Sequence, residues 1–181
     1  SGSIVFEKAY DLHEERRVPV PDGLRLHLST DGIFLNHLEP GSSMTGILSL
    51  PEGPMLIASM PILTSQGQGP IRGTIIFGRF LDRQEVQRLA RTTFSSLVAR
   101  EPGDPQMPPD FQEALPSLLE GSTIFVRPLT SQTVAGYALL KDVHGEPALV
   151  LRADTPRDIY ERGRTTVDLF MAALLTSGLV F

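Results

Sequence analysis

Runs of apolar residues separated by tight turns predict two groups of antiparallel strands. The first group comprises three runs, at residues 46–50, 54–63 and 71–81. The second group has the same form, with runs at residues 123–129, 134–143 and 147–153. The turns within each group span only a few residues, and connections this short join antiparallel neighbours.

Helical periodicity is strongest directly after the first group. Glu85 follows Asp82 by three residues, which is the spacing of a capping box. A stripe of apolar residues then recurs at helical spacing, formed by Val86, Leu89, Ala90, Phe94, Leu97 and Val98. We therefore predict a helix over residues 82–100 that presents one apolar face.

Weaker signals predict elements nearer the N-terminus. Residues 4–10 alternate imperfectly between apolar and polar and indicate a first strand. Residues 19–38 are ambiguous, because their leucines suit both a strand and a helical face. The sequence Pro21-Asp22 favours a short helix that begins there.

A proline-rich stretch separates the two strand groups. Residues 100–110 contain four prolines and predict a loop. Asp110 is expected to cap a short helix that carries Phe111, and Pro116 is expected to kink or stop it.

The C-terminal part of the chain predicts a helix and an uncharged tail. Thr155 suits a helix cap, Pro156 the first helical position and Asp158 the first turn. No charged residue follows Asp168, so residues 169–181 form an apolar tail that is shorter than the roughly 20 residues of a bilayer-spanning helix. This tail is either the first part of a membrane helix or a buried C-terminal helix.

Strand groups joined by tight turns and separated by helices predict an α+β fold with a mainly antiparallel β-sheet flanked by helices. A chain of 181 residues fits one domain, which we place at residues 1–168. We expect a single sheet that contains both strand groups, with the helix at residues 82–100 packed on it.

Composition excludes several classes of function. The net charge is −5 with both signs interspersed, which argues against a nucleic-acid partner. The chain has no cysteine, which removes disulfides and thiol catalysis, and its four histidines lack metal-ligand spacing. No nucleophile motif is present, and the carboxylates suit capping and turn roles. We therefore expect no catalysis, no bound metal and no cofactor.

Two cations in the run at residues 71–81 suggest a binding site. Arg72 and Arg79 occur where the pattern otherwise demands apolar residues, and their spacing places them on opposite faces of an ideal strand. We expect one of them to face a ligand cavity, where a guanidinium can hold a carboxylate bidentately; the alternative is a surface salt bridge. The weaker candidates for ligand contact are Tyr137, Ser59 and Arg152.

Three longer segments resemble the fourth class of CHASE domains. They are IVFEKAYD at 4–11, PMLIASMPILTSQGQGPIRGTIIFGRFLD at 54–82 and GYALLKDVHGEPALVLRADTPRDIYERG at 136–163. Such domains are extracellular sensor modules of bacterial and archaeal receptors. The resemblance implies a PAS/Cache-like fold and a position between two membrane spans, ahead of a histidine kinase, diguanylate cyclase or related output domain. The family module normally begins with a long helix, and this sequence starts at the strand after it.

These observations predict the extracytoplasmic sensor domain of a membrane-anchored receptor, without catalysis of its own. Its ligand is an unknown small molecule, which the arginines suggest is anionic. The resemblance favours residues 169–181 as the start of the second membrane span. Residues 156–181 are predicted to form one output helix that pairs with its twin in a homodimer, through a seam of Ile159, Gly163, Val167, Phe170 and Leu174. The alternative is a soluble intracellular ligand-binding or scaffold domain with a buried C-terminal helix.

Overall fold

The computed structural model describes residues 3–30, 32–93 and 96–156 of the chain. In chain order its elements are β1 (Ala9–Asp11), β2 (Arg16–Val18), α1 (Asp22–Thr30), a short 3₁₀ helix (Gly32–Phe34), β3 (Met44–Leu50), β4 (Gly53–Pro61), β5 (Thr74–Phe80), α2 (Arg83–Thr93), β6 (Ser96–Arg100), α3 (Pro109–Leu119), β7 (Phe125–Pro128), β8 (Thr133–Lys141) and β9 (Pro147–Pro156). The strands form three sheets, with the orders β1-β2, β3-β4-β5 and β6-β9-β8-β7.

The α+β class with antiparallel strand pairing is confirmed. Strand β4 pairs antiparallel with both β3 and β5, and β6 with β9 and β7 with β8 pair in the same way. These antiparallel sheets with three short helices are consistent with the PAS/Cache-like architecture that the resemblance implies. Within the described ranges, no helix is long and apolar enough to cross a membrane.

The chain divides into two compact units. The first contains the residues up to Glu85 together with Lys141–Ala148, and the second contains Val86–Leu140 and the residues from Leu149 onward. The prediction of one sheet containing both strand groups is therefore wrong. The second group is completed by β6, which pairs with β9, and each group has a separate hydrophobic core.

The core of the first unit lies on one face of the β3-β4-β5 sheet. Alternate residues of the strands point to this face, as the twofold repeat of a strand requires. The buried core residues are Leu24, Phe34, Leu48, Leu50, Met55 and Ile57. The first of these comes from α1 and the second from the 3₁₀ helix, so the predicted helix after Pro21 is confirmed.

The core of the second unit lies between α3 and the β6-β9-β8-β7 sheet. Its buried residues are Met107, Phe111, Ala114, Leu118, Ala135, Tyr137 and Val150. The rings of Phe111 and Phe125 both approach Tyr137 edge-on, at centroid distances of 5.4 and 6.0 Å. Edge-to-face packing of this kind stabilises a core beyond the area that it buries.

Several predicted boundaries are wrong. Helix α2 starts as predicted, and the Asp82 carboxylate accepts a hydrogen bond from the Glu85 backbone N–H at 2.8 Å, but Leu97 and Val98 lie in β6. The two apolar residues continue the helical stripe in sequence, whereas in the structure they pair with β9, a partner that local periodicity does not reveal. The strand expected at residues 4–10 is also wrong for most of its length, since β1 begins at Ala9.

The helix start predicted at Thr155 and Pro156 is wrong. Thr155 and Pro156 lie in β9 and do not begin a helix. The residues after Pro156, which include the predicted output helix, its pairing seam and the apolar tail, lie outside the described residues.

Candidate functional site

The outer face of the β3-β4-β5 sheet, opposite the core of the first unit, forms an open groove of about 580 Å³. The strand register aligns Ile47, Leu56 and Arg79 across the sheet, and it aligns Thr45, Ala58 and Phe77 in the neighbouring row. The groove is lined by Thr45, Gly46, Ile47, Leu56, Ile57, Ala58, Phe77, Gly78 and Arg79. Phe77 is 65% exposed, so this apolar face is open to a solute.

Two glycines let the sheet pack closely on its inner face beneath the groove. A Cβ added to Gly46 would lie 2.5 Å from Cγ1 of Val143, and one added to Gly78 would lie 2.5 Å from Sδ of Met55. The first neighbour belongs to the turn between β8 and β9, whose Val143 N–H also donates to the carbonyl of Ile47 at 2.8 Å. Side chains at these two positions would displace the layer that supports the groove.

Arg79 is the cationic group of this groove. Its Nη1 lies 3.3 Å from Oε2 of Glu85, whose side chain is 9% exposed in the first turn of α2. The Arg79 side chain itself is 49% exposed, so the ion pair contributes little to stability. A guanidinium carries five N–H donors in a planar fork, and one contact with Glu85 leaves donors for a bound anion.

The other predicted arginine, Arg72, lies before β5 begins and outside the lining of the groove. It is exposed, and its backbone N–H donates to the carbonyl of Ile62 at 3.0 Å. The expectation that one of the two arginines lines a cavity therefore applies to Arg79.

Ser59 is buried on the inner face of the sheet and does not line the groove. Its Oγ lies 2.8 Å from Nε2 of His37, while Nδ1 of this histidine lies 2.9 Å from Oγ of Ser42. A serine beside an imidazole is the arrangement of an activated nucleophile. Ser59, however, is fully buried and donates its proton to the carbonyl of Phe34 at 2.5 Å, so this contact fastens a loop to the sheet.

In the second unit, the carboxylate of Asp110 brings Tyr137 and Arg152 together. The sequence predicts a helix-capping role for this carboxylate. The Tyr137 hydroxyl donates to Oδ2 of Asp110 at 2.7 Å, and Nη1 of Arg152 donates to the same oxygen at 2.7 Å. Arg152 also lies beside Asp154, with Nε 2.9 Å from its Oδ1. The guanidinium carbon lies 5.5 Å from the centroid of the Phe111 ring. We call Asp110, Tyr137, Arg152 and Asp154 the polar cluster of the second unit.

The prediction that Asp110 caps α3 is wrong. The cap position is occupied by Pro108, which makes no side-chain cap hydrogen bond, and the helix continues beyond Pro116. Asp110 instead connects the first turn of α3 to β8 and β9. The sequence contained one signal for this contact, which was Tyr137, because a buried tyrosine hydroxyl usually requires a hydrogen-bond partner.

The pKa values in the polar cluster reflect opposing effects. Burial alone would raise the pKa of Asp110, but the hydrogen bonds from Tyr137 and Arg152 outweigh it and hold the pKa below its usual value. Burial, followed by the hydrogen bond to Asp110, raises the pKa of Tyr137 to about 12. Burial would lower the pKa of Arg152, but its bond to Asp110 and the charge of Asp154 raise it. At neutral pH the Asp110 carboxylate is therefore charged, the Tyr137 phenol is neutral and Arg152 is a cation.

This arrangement makes the polar cluster a structural tie. The guanidinium of Arg152 already faces two carboxylates, which leaves it poorly placed to bind an anionic ligand. In the described part of the chain, no group of three or more histidine, aspartate or glutamate side chains is placed to hold a metal ion. Of the five predicted site residues, Arg79 alone lines the groove, and Tyr137 and Arg152 meet in the second unit.

Comparison with known proteins establishes the family. The CHASE4 domain family matches residues 1–99, more than half of the chain, and the chain belongs to this family. The methanogenesis regulatory histidine kinase FilI of Methanothrix harundinacea (strain 6Ac) is 34% identical over 187 aligned residues. That alignment covers 99% of this chain and 20% of the kinase, so the chain spans about a fifth of its relative.

A solved structure, the extracellular domain of a proposed histidine kinase named vpHK1S-Z8, is also similar. The match has a TM-score of 0.37 and 12% sequence identity, and it covers 86% of this chain and 66% of the other. A similarity at this level carries no argument about function.

Proposed function

We propose that this chain is the extracytoplasmic ligand-sensing domain of a membrane-bound receptor of the histidine kinase type. The observation that carries the proposal is membership of the CHASE4 family, together with 34% identity to a regulatory histidine kinase along nearly the whole chain. The relative is about five times longer than the matched region, which leaves room in that protein for output domains. In this proposal the domain binds a signal and has no catalysis of its own.

The groove on the outer face of the β3-β4-β5 sheet is the ligand site that the geometry supports best. Its volume of about 580 Å³ lies within the usual range for small-molecule sites, roughly 300–1,000 Å³. Its lining is apolar apart from Thr45 and Arg79, the latter placed at one end of an aligned row with Ile47 and Leu56. A small molecule with an apolar body and a carboxylate would satisfy both parts of the lining.

Signalling in this proposal is a shift of population between two states of the domain. A ligand shifts the equilibrium only by the difference in its affinity for the two states. Arg79 offers such a difference, because its contact with Glu85 joins the groove to the first turn of α2. A bound anion that moves the guanidinium also changes the partner of a buried carboxylate. Transmission through a helix after Pro156 stays a prediction.

The location is tested by cysteine labelling of the full-length receptor in intact cells. The chain has no cysteine, so a Gln66→Cys substitution in the exposed turn before β5 introduces one reactive thiol into this region. We expect a membrane-impermeant maleimide to label this variant without lysis and to leave the wild-type region unlabelled. Ser59→Cys provides the matched control, since its buried thiol should stay unlabelled while the domain is folded. Labelling of Gln66→Cys only after lysis would contradict the extracytoplasmic location.

A further inference from the structure

His37 is hydrogen-bonded through both ring nitrogens. Nδ1 lies 2.9 Å from Oγ of Ser42, and Nε2 lies 2.8 Å from Oγ of Ser59. Each serine hydroxyl also reaches a backbone carbonyl, that of Glu39 at 2.6 Å from Ser42 and that of Phe34 at 2.5 Å from Ser59. Two of these four hydrogen bonds reach strand β4 through Ser59, and the other two lie within the loop between the 3₁₀ helix and β3.

The number of protons in this arrangement determines the charge on the imidazole. A serine hydroxyl has one proton and therefore donates to one acceptor. When both serines donate to their carbonyls, both nitrogens of His37 must donate to the serines. An imidazole that donates through both nitrogens is an imidazolium. We infer that His37 is a proton-binding site of the first unit and that its cationic form completes all four hydrogen bonds.

The neutral form keeps three of the four bonds, and burial determines which one it loses. Ser59 and Phe34 are fully buried, so the Ser59 hydroxyl keeps donating to the Phe34 carbonyl and Nε2 stays a donor to Ser59. Nδ1 then accepts from Ser42, whose hydroxyl must turn away from the carbonyl of Glu39. That carbonyl still accepts a hydrogen bond from the backbone N–H of Ser42, at 3.0 Å. Loss of the proton therefore loosens the turn at residues 39–42 and leaves the buried pair in place.

The sheet surrounds this site with apolar neighbours. Ser59 is paired with Met44 of β3 and with Ile76 of β5, and neither side chain can titrate. On the loop itself, Glu39 is the one carboxylate between residues 32 and 43, and it is exposed.

Helix α1 contacts the 3₁₀ helix and carries ionisable groups of its own. They are Asp22 and Arg25, which form an ion pair, and His27, whose ring stacks on that of His144. These groups have partners of their own among the described residues. Among the described contacts, the two hydrogen bonds to serine are those through which a proton on His37 acts on the loop.

The proton count is tested by nitrogen-resolved NMR of the His37 ring in the intact chain at pH 5 and at pH 8. We expect both nitrogens to be protonated at the acidic end and the Nε2–H tautomer to remain at the basic end. The Nδ1–H tautomer at pH 8, or a ring that is still neutral at pH 5 in the folded chain, would overturn the inference.

The effect on the turn is tested by hydrogen exchange of the Ser42 amide, which donates to the carbonyl of Glu39. Corrected for the intrinsic rate, its protection should fall roughly two- to tenfold from pH 5.5 to pH 8, the effect of losing one net hydrogen bond. Ser42→Ala should remove this dependence, because Nδ1 of His37 then has no serine hydroxyl to bind. His13→Gln, in an exposed turn, should leave the dependence unchanged. An equal fall in Ser42→Ala, or no fall in the wild type, contradicts the inference. The inference concerns proton binding alone and does not rest on the receptor role.

Discussion

Replacing Tyr137 with phenylalanine removes one hydroxyl from the core of the second unit and leaves its shape nearly unchanged. The ring is fully buried and keeps its edge-to-face contacts with Phe111 and Phe125. The loss is therefore the hydrogen bond to Asp110 at 2.7 Å. A hydrogen bond to a charged group contributes roughly 1.5–3 kcal/mol, and we expect the free energy of unfolding to fall by about 2 kcal/mol at pH 7.

The pH dependence of this loss identifies its cause. The pKa of Asp110 is lowered in the folded chain, so the carboxylate contributes stability above its unfolded pKa, and this contribution is lost as the pH falls through the folded pKa. The difference between wild type and Tyr137→Phe should therefore be complete at pH 7 and shrink below about pH 4, where an unfolded aspartate titrates.

Urea denaturation followed by circular dichroism measures both quantities. Tyr10→Phe is the matched control, because this tyrosine is exposed and its hydroxyl donates to the backbone carbonyl of Glu15. We expect the control to change stability by less than about 0.5 kcal/mol. Equal effects of the two substitutions, or a Tyr137→Phe effect that is the same at pH 7 and pH 3, would refute the role assigned to the polar cluster.

Two further substitutions test packing and capping by the same denaturation assay. Gly46→Ala should destabilise the chain by about 1–3 kcal/mol, because its Cβ would lie 2.5 Å from Cγ1 of Val143. The control Gly136→Ala should not destabilise it, because no atom lies within 4 Å of the added Cβ. Equal effects of the two substitutions would contradict the close packing at Gly46. Asp82→Ala should lower the free energy of unfolding by about 1 kcal/mol, because it removes the cap on the Glu85 N–H. Asp82→Asn should restore most of this stability. An Asp82→Ala variant as stable as wild type would show that the cap contributes nothing.

Local patterns predicted the elements whose stabilising contacts lie close in sequence. The alternation in β3, β4 and β5 is visible because one face of that sheet is buried and β3 returns to β4 through a tight turn. The start of α2 is visible because Asp82 and Glu85 are three residues apart.

Two of the errors share one cause, which is a partner distant in sequence. Leu97 and Val98 continue a helical stripe, yet hydrogen bonding to β9 makes them a strand. Asp110 stands where a cap is expected, and its partners Tyr137 and Arg152 come from strands much later in the chain. Local spacing cannot identify such pairs, and for the same reason it could not separate the two sheets.

The candidate site was predictable only in part. An arginine among apolar residues indicated Arg79 because a cation on an exposed apolar face of a strand is unusual. The aligned positions of Ile47 and Leu56 beside it depend on strand register, which the sequence did not determine.

The central claim, a ligand-sensing domain whose groove binds an anionic small molecule through Arg79, is tested most directly by NMR titration of the chain. Small organic acids, amino acids and amines would be added singly to wild type, to Arg79→Met and to the control Arg72→Met, whose arginine lies outside the groove. The account predicts that at least one carboxylate shifts the signals of Ile47, Leu56 and Phe77, and that this binding is lost in Arg79→Met and kept in Arg72→Met. Binding that shifts only residues outside the groove, or that survives in Arg79→Met with unchanged affinity, would contradict it.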